Sequence, residues 1–242
     1  MKKLMLAAAA VALTAGMGMG MAQTVRIATE GAYPPYNLIN DQGQVDGFEV
    51  KLGNELCERA ELQCTWVQND WDSIIPNLVS SNYDAIMAAM SINDERKQVI
   101  AFTQNYLPPA PSSYVALDDG ANLETGVVAV QINTIQASYI AGTQATMLEY
   151  PNIDQVFAAV RNGEADAAFG DHEVMRPFVE DSNDLTFVGE QVRLDEGIGI
   201  GVRQSDNELR EKLNAALDTM KQDGSLNELI KTYFGENAET YE

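Results

Sequence analysis

The sequence predicts an α/β fold with mostly parallel sheets. Three observations predict it. Strand-like and helix-like segments alternate along most of the chain. Residues 85–90 form a continuous apolar run, as a strand buried on both faces requires. The C-terminal end carries two helical patterns, each preceded by a capping signal.

Lys2 and Lys3 precede an apolar stretch at 4–13, and Gly20-Met21-Ala22 places small residues at both cleavage-determining positions. This is the pattern of an export signal over residues 1–22. The apolar run is too short to span a bilayer, and no cysteine follows it as a lipid attachment point. A retained N-terminal anchor is the alternative reading. Val25-Arg26-Ile27-Ala28 is a short strand-like run, and Phe48, Leu52, Leu56 and Ala60 share one helical face. Residues 64–67 read as a strand. Ile74, Ile75 and Leu78 read as a short helix started near Asp70 or Asp72.

Further strands are expected at 127–130, 165–169 and 198–202, and helices at 134–141, 153–162 and 172–180. Leu209, Leu213, Ala216, Leu217 and Met220 then fall at helical spacing. Ser205-x-x-Glu208 is a capping box at the start of that helix, and Gly224 is its stop. Ser225-x-x-Glu228 opens a last helix by the same device. Between these halves lies Tyr106-Leu107-Pro108-Pro109-Ala110-Pro111, which cannot continue a helix. It reads equally as a crossover between lobes or as a surface loop.

Composition narrows the function. The chain has 36 Asp and Glu against 15 Lys and Arg, a formal net charge of -21. Nucleic acid is a poor partner for such a surface, because phosphate binding needs a basic face. An acidic field attracts cationic solutes, although acid can equally serve solubility. Cys57 and Cys64 are the two cysteines, and in an exported protein an even count reads as one disulfide. With so short a loop the bond contributes about 2.5 kcal/mol in the chain-entropy model. One histidine, His172, is too few for a zinc site, and no cofactor motif is present.

The ordered stretches Val25-Arg26-Ile27-Ala28-Thr29-Glu30-Gly31-Ala32-Tyr33-Pro34-Pro35-Tyr36, Gly47-Phe48-Glu49-Val50, Leu52-Gly53-Asn54-Glu55-Leu56-Cys57, Asp84-Ala85-Ile86, Ser91-Ile92-Asn93-Asp94-Glu95-Arg96, Ala101-Phe102-Thr103, Asp166-Ala167-Ala168 and Gln222-Asp223-Gly224 carry a family resemblance. The chain resembles the polar amino-acid solute-binding proteins of bacterial ABC importers. It is most similar to the lysine/arginine/ornithine-, histidine- and opine-binding members. The resemblance implies a two-lobed periplasmic-binding-protein fold of type II with two crossovers. Lobe one would span 23–110 and 201–242, and lobe two 111–200. It also implies a Cys57–Cys64 disulfide, a monomer in the periplasm, a free amino acid as ligand and a membrane permease as partner.

The chemistry of the ligand can be argued independently. A free amino acid is a zwitterion, and a buried site must pair each of its charges. The resemblance assigns Arg96 to the α-carboxylate, for which a guanidinium fork is suited. It adds Thr134 at a helix start, and Asp171 for the ammonium. Spacing alone favours a surface Arg96 paired with Asp94 or Glu95, and a capping role for Asp171. Tyr33 and Trp71 match aromatic positions that flank the ligand side chain. Glu30 matches an acidic position facing a distal cation, and Ala89 and Ser91 line the binding loop. A basic ligand is thereby expected: arginine, ornithine, lysine or an arginine-derived opine. Ala88 and Ala89 stand where relatives carry serines, and Ile132, Asn133 and Ile135 replace smaller or more polar residues. A neutral polar amino acid is therefore the alternative ligand. An enzyme of the cyclohexadienyl dehydratase type, with Asp171 or Glu173 as acid, is the alternative function. His172 reads as structural.

Overall fold

The computed structural model describes residues 24–194 and 196–242; the expected export signal lies outside them. The chain opens with β1 (Thr24–Thr29), a small antiparallel sheet of β2 (Ala32–Tyr33), β3 (Asn37–Ile39) and β4 (Val45–Asp46), then α1 (Phe48–Arg59) and β5 (Gln63–Gln68). A 3₁₀ turn (Trp71–Ser73) leads into α2 (Ile74–Val79), β6 (Ala85–Ile86), α3 (Asp94–Lys97) and β7 (Ile100–Leu107). The middle of the chain alternates: β8 (Pro111–Ala116), β9 (Val127–Gln131), α4 (Ile135–Ala141), β10 (Thr146–Tyr150), α5 (Ile153–Arg161), β11 (Ala167–Asp171), α6 (His172–Glu180) and β12 (Thr186–Arg193). It closes with β13 (Ile198–Arg203), α7 (Asn207–Gln222) and α8 (Ser225–Phe234).

The strands form two five-stranded sheets, ordered β5-β1-β6-β13-β7 and β10-β9-β11-β8-β12. The chain thus changes sheet twice, at the proline-rich 108–110 and between β12 and β13. In each sheet the first strand after a crossover is antiparallel to both neighbours: β8 in the second sheet, β13 in the first. The remaining pairings within these two sheets are parallel. A crossover of a few residues delivers the chain directly into the next sheet. It has no helix to carry it back to the starting end, so the entering strand runs in reverse. Parallel pairing is accordingly less dominant than the alternation of elements suggests. Residues 198–200 pair within the first sheet, ahead of the boundary expected at residue 200.

Helix α1 buries Phe48, Leu52 and Leu56, and α7 and α8 bury Leu213, Leu217, Met220, Leu226 and Ile230 in the same core. Gly47 before α1 has φ 118°, and a Cβ there would stand 2.6 Å from the Tyr36 carbonyl oxygen. Only glycine fits that entry. The Cys57–Cys64 disulfide ties α1 to β5 with a Cα–Cα distance of 6.2 Å.

Several local expectations differ from the structure. Only Ala85 and Ile86 of the apolar run 85–90 pair as a strand; the rest leaves the sheet, with Ala89 left-handed at φ 49°. Strand β11 starts at Ala167, and Asp166 instead accepts a hydrogen bond from the Val127 N–H at 2.7 Å. Neither expected capping box forms. Asp206 takes the N-cap position of α7, and Ser205 Oγ donates to its carboxylate at 2.8 Å. Gly224, left-handed at φ 81°, separates α7 from α8, and the Asp223 carboxylate accepts from the Ser225 N–H at 2.9 Å. At α8 a carboxylate two positions upstream takes the place of the serine hydroxyl as acceptor.

Candidate functional site

The carboxyl ends of parallel strands are where α/β sheets place their ligand sites. Here Glu30 follows β1, Trp71 follows β5, and Ala88, Ala89 and Ser91 follow β6. From the second sheet, Gln131 ends β9, Thr134 caps α4, and Asp171 ends β11. These residues, with Tyr33, Arg96, Ile135 and Gln136, line one cleft. All eight residues expected from the sequence are brought together there: Glu30, Tyr33, Trp71, Ala89, Ser91, Arg96, Thr134 and Asp171. Every one except Ala89 is buried.

Arg96 enters the cleft from the short helix α3, whose N-cap Asn93 accepts from the Arg96 N–H at 2.8 Å. Its guanidinium is buried and turned into the cleft rather than set at the surface. Nη1 donates to the Ser91 carbonyl at 2.8 Å and Nη2 to the Asn133 carbonyl at 3.1 Å. The guanidinium carbon lies 5.2 Å from the Trp71 ring centroid, within cation–π range. The guanidinium faces the cleft, where an entering anion would meet it.

Two carboxylates line the same cleft. Asp171 caps α6 by accepting from the Glu173 N–H at 3.1 Å, and it also accepts from Tyr36 Oη at 3.3 Å. The capping and site-lining readings of Asp171 are therefore both realised. Glu30 accepts from Gln131 Nε2 at 2.8 Å. Burial raises its carboxyl from the usual 4.5 to about 7, with Asp70, Glu49 and Asp154 adding repulsion and the Gln131 bond opposing it. Thr134 Oγ1 is engaged locally, accepting from the Ala137 N–H at 3.0 Å and donating to the Gln131 carbonyl at 2.8 Å.

The cleft is bridged by bonds between residues of different sheets. Trp71 Nε1 donates to the Ile132 carbonyl at 2.9 Å, and Arg96, Glu30 and Tyr36 also bond across it. Ile132 and Asn133 thus contribute backbone carbonyls, with Asn133 left-handed at φ 58°. Behind the cleft Glu49 is wholly buried and raised by desolvation. It accepts from Asn37 Nδ2 at 2.7 Å, the Ala89 N–H at 2.7 Å and Tyr106 Oη. Asn37 Oδ1 in turn accepts from the Gly31 N–H at 2.8 Å, so one carboxylate braces both cleft segments of the first sheet.

Sequence reasoning misses Gln131, Gln136 and the Glu49 brace. Gln131 had a readable signal, since a polar residue ends the buried apolar run of β9. Two further residues stand outside the cleft. Glu173 pairs with Arg176 at 2.8 Å. His172 Nδ1 lies 2.8 Å from Ser113 Oγ with its ring 4.6 Å from that of Phe187, a structural setting.

Residues 25–236 match the bacterial extracellular solute-binding proteins, family 3. The lysine/arginine/ornithine-binding periplasmic protein of Escherichia coli K12 is 33% identical, the alignment covering 89% of each chain. The histidine-binding periplasmic protein of Salmonella typhimurium LT2 is 35% identical over 88% of each. Among solved structures, a periplasmic His/Glu/Gln/Arg/opine family-binding protein from Silicibacter pomeroyi, crystallised in complex with lysine, is 60% identical. It superposes with a TM-score of 0.89 over 90% of this chain and all of its own.

Proposed function

We propose that this chain, which belongs to the bacterial extracellular solute-binding proteins of family 3, captures a free basic amino acid in its cleft for an ABC importer. The observation that carries this reading is one buried guanidinium and two buried carboxylates converging on one cleft. That charge set complements a zwitterion bearing an extra cation. Arg96 takes the α-carboxylate, beside Ser91 and Thr134. Asp171 takes the α-ammonium. Tyr33 and Trp71 flank the side chain, and Glu30 meets its distal charge. The lysine complex of the 60% identical neighbour supports this class, which includes arginine, ornithine, lysine and arginine-derived opines.

The protein acts as a monomeric binding component in the periplasm, exported by residues 1–22, and presents the closed lobes to a membrane permease. The lobes are the bodies built on the two sheets. The chain binds its ligand without transforming it: of the two candidate acids, Glu173 pairs with Arg176 outside the cleft, and Asp171 is placed to hold the α-ammonium.

A thermal-shift screen of amino acids, opines and polyamines tests the reading. Lysine or arginine at ~100 times Kd adds about 2.7 kcal/mol to stability. Arg96→Ala should abolish that shift while circular dichroism stays native, because a carboxylate without its fork in a closed cleft loses several kcal/mol. A shift with glutamine or leucine alone, or an Arg96→Ala variant that still binds, overturns it. Aromatic product from prephenate or arogenate would establish the enzyme instead.

A further inference from the structure

Gln131 is buried at the end of β9, and its side chain crosses the cleft. Nε2 donates to Glu30 Oε1 at 2.8 Å and to the Pro151 carbonyl at 3.1 Å. Glu30 follows β1 of the other sheet. Among the described residues, its carboxylate accepts from no other side chain. The bond therefore depends on the two sheets facing each other, and it fixes one of the two Glu30 oxygens.

We propose that Gln131 is a specificity-determining residue of this cleft: by donating to one oxygen of Glu30 across the closed lobes, it holds that carboxylate ready to pair with the distal cation of a basic amino acid. The inference rests on the basic-amino-acid reading above. Gln131 acts through Glu30 and is a positioning residue. The surroundings make its donor matter. Asp70 beside the 3₁₀ turn, Glu49 of α1 and Asp154 of α5 all disfavour an ionised Glu30, and the Gln131 bond favours it. Tyr33, Arg96 and Asp171 face the same cleft. Without the amide donor, Glu30 ionises at higher pH and lysine meets a neutral acid more of the time.

Calorimetry with L-lysine on the wild-type protein, Gln131→Leu and Gln131→Met tests this between about pH 6 and pH 8.5, across the titration of Glu30. In the wild type, lysine affinity weakens as pH falls below about 7, where Glu30 takes up its proton. In both variants affinity at neutral pH falls about tenfold, and the shortfall narrows toward the alkaline end as Glu30 ionises. Gln131→Met carries the comparison should Gln131→Leu fail to fold. Unchanged lysine affinity overturns the proposal, and so does a loss of equal size at every pH, which is the signature of packing alone. A wild-type protein that binds neither lysine nor arginine removes the basic-amino-acid reading itself, and this inference with it.

Discussion

At the scale of the residue, the cleft trades stability for recognition. Glu30 is buried with its carboxyl raised to about 7. The folded chain thus holds this proton more tightly than the unfolded chain. Its contribution to stability is full below about pH 4.5 and is lost as pH rises through about 7. The difference amounts to about 3 kcal/mol by linkage. Glu30→Gln keeps the shape and still accepts from Gln131. We expect the ligand-free variant to melt higher than wild type at mildly alkaline pH, with the gain vanishing near pH 5. Lysine affinity should fall by about 2–5 kcal/mol in the same variant, because a buried ion pair is lost. Paired thermal melts and calorimetry check both halves, and a variant that binds lysine normally removes Glu30 from the site. Arg96 shows the limit of reading residues in isolation. Its spacing to Asp94 and Glu95 suits a surface ion pair, yet it is buried on the carbonyls of Ser91 and Asn133. Asn133 is distant in sequence, so local charge pattern could not announce it.

At the scale of the element, regular segments were legible and their ends were not. Helices α4, α5 and α6 fall where periodicity expects them, because an apolar stripe must face a sheet. The run 85–90 misleads because continuous apolarity marks burial rather than pairing. After Ile86 the chain must leave the sheet to carry Ala88, Ala89 and Ser91 into the cleft. What holds that loop is the Glu49 carboxylate, which accepts from the Ala89 N–H and from Tyr106 Oη. We therefore expect Tyr106→Phe to cost about 1–3 kcal/mol, since it strips a donor from a fully buried acceptor. The shift of the urea midpoint measures it. A midpoint within error of wild type means that Glu49 does not need this donor.

At the scale of the whole molecule, the net charge of -21 acts on approach rather than on docking. The association rate of lysine should fall as salt is added and the field is screened, while its dissociation rate changes little. Stopped-flow measurements over a salt series check this, and a salt-independent association rate shows that the acid serves solubility alone. The sequence by itself determined the alternation of strands and helices, the disulfide and, through its resemblance, the eight residues of the cleft. These rest on local periodicity, cysteine chemistry and ordered motifs, all of which are carried by neighbouring residues. The tertiary structure alone decided that Gln131 meets Glu30, that Trp71 and Arg96 close on the carbonyls of Ile132 and Asn133, and that Glu49 braces the loop at Ala89. Each of these bonds joins residues that only the packing of two sheets, or of a helix against one, brings within hydrogen-bond reach. A hydrogen bond depends on position to within a few tenths of an ångström, and periodicity along a chain carries no such information about the opposite side of a cleft.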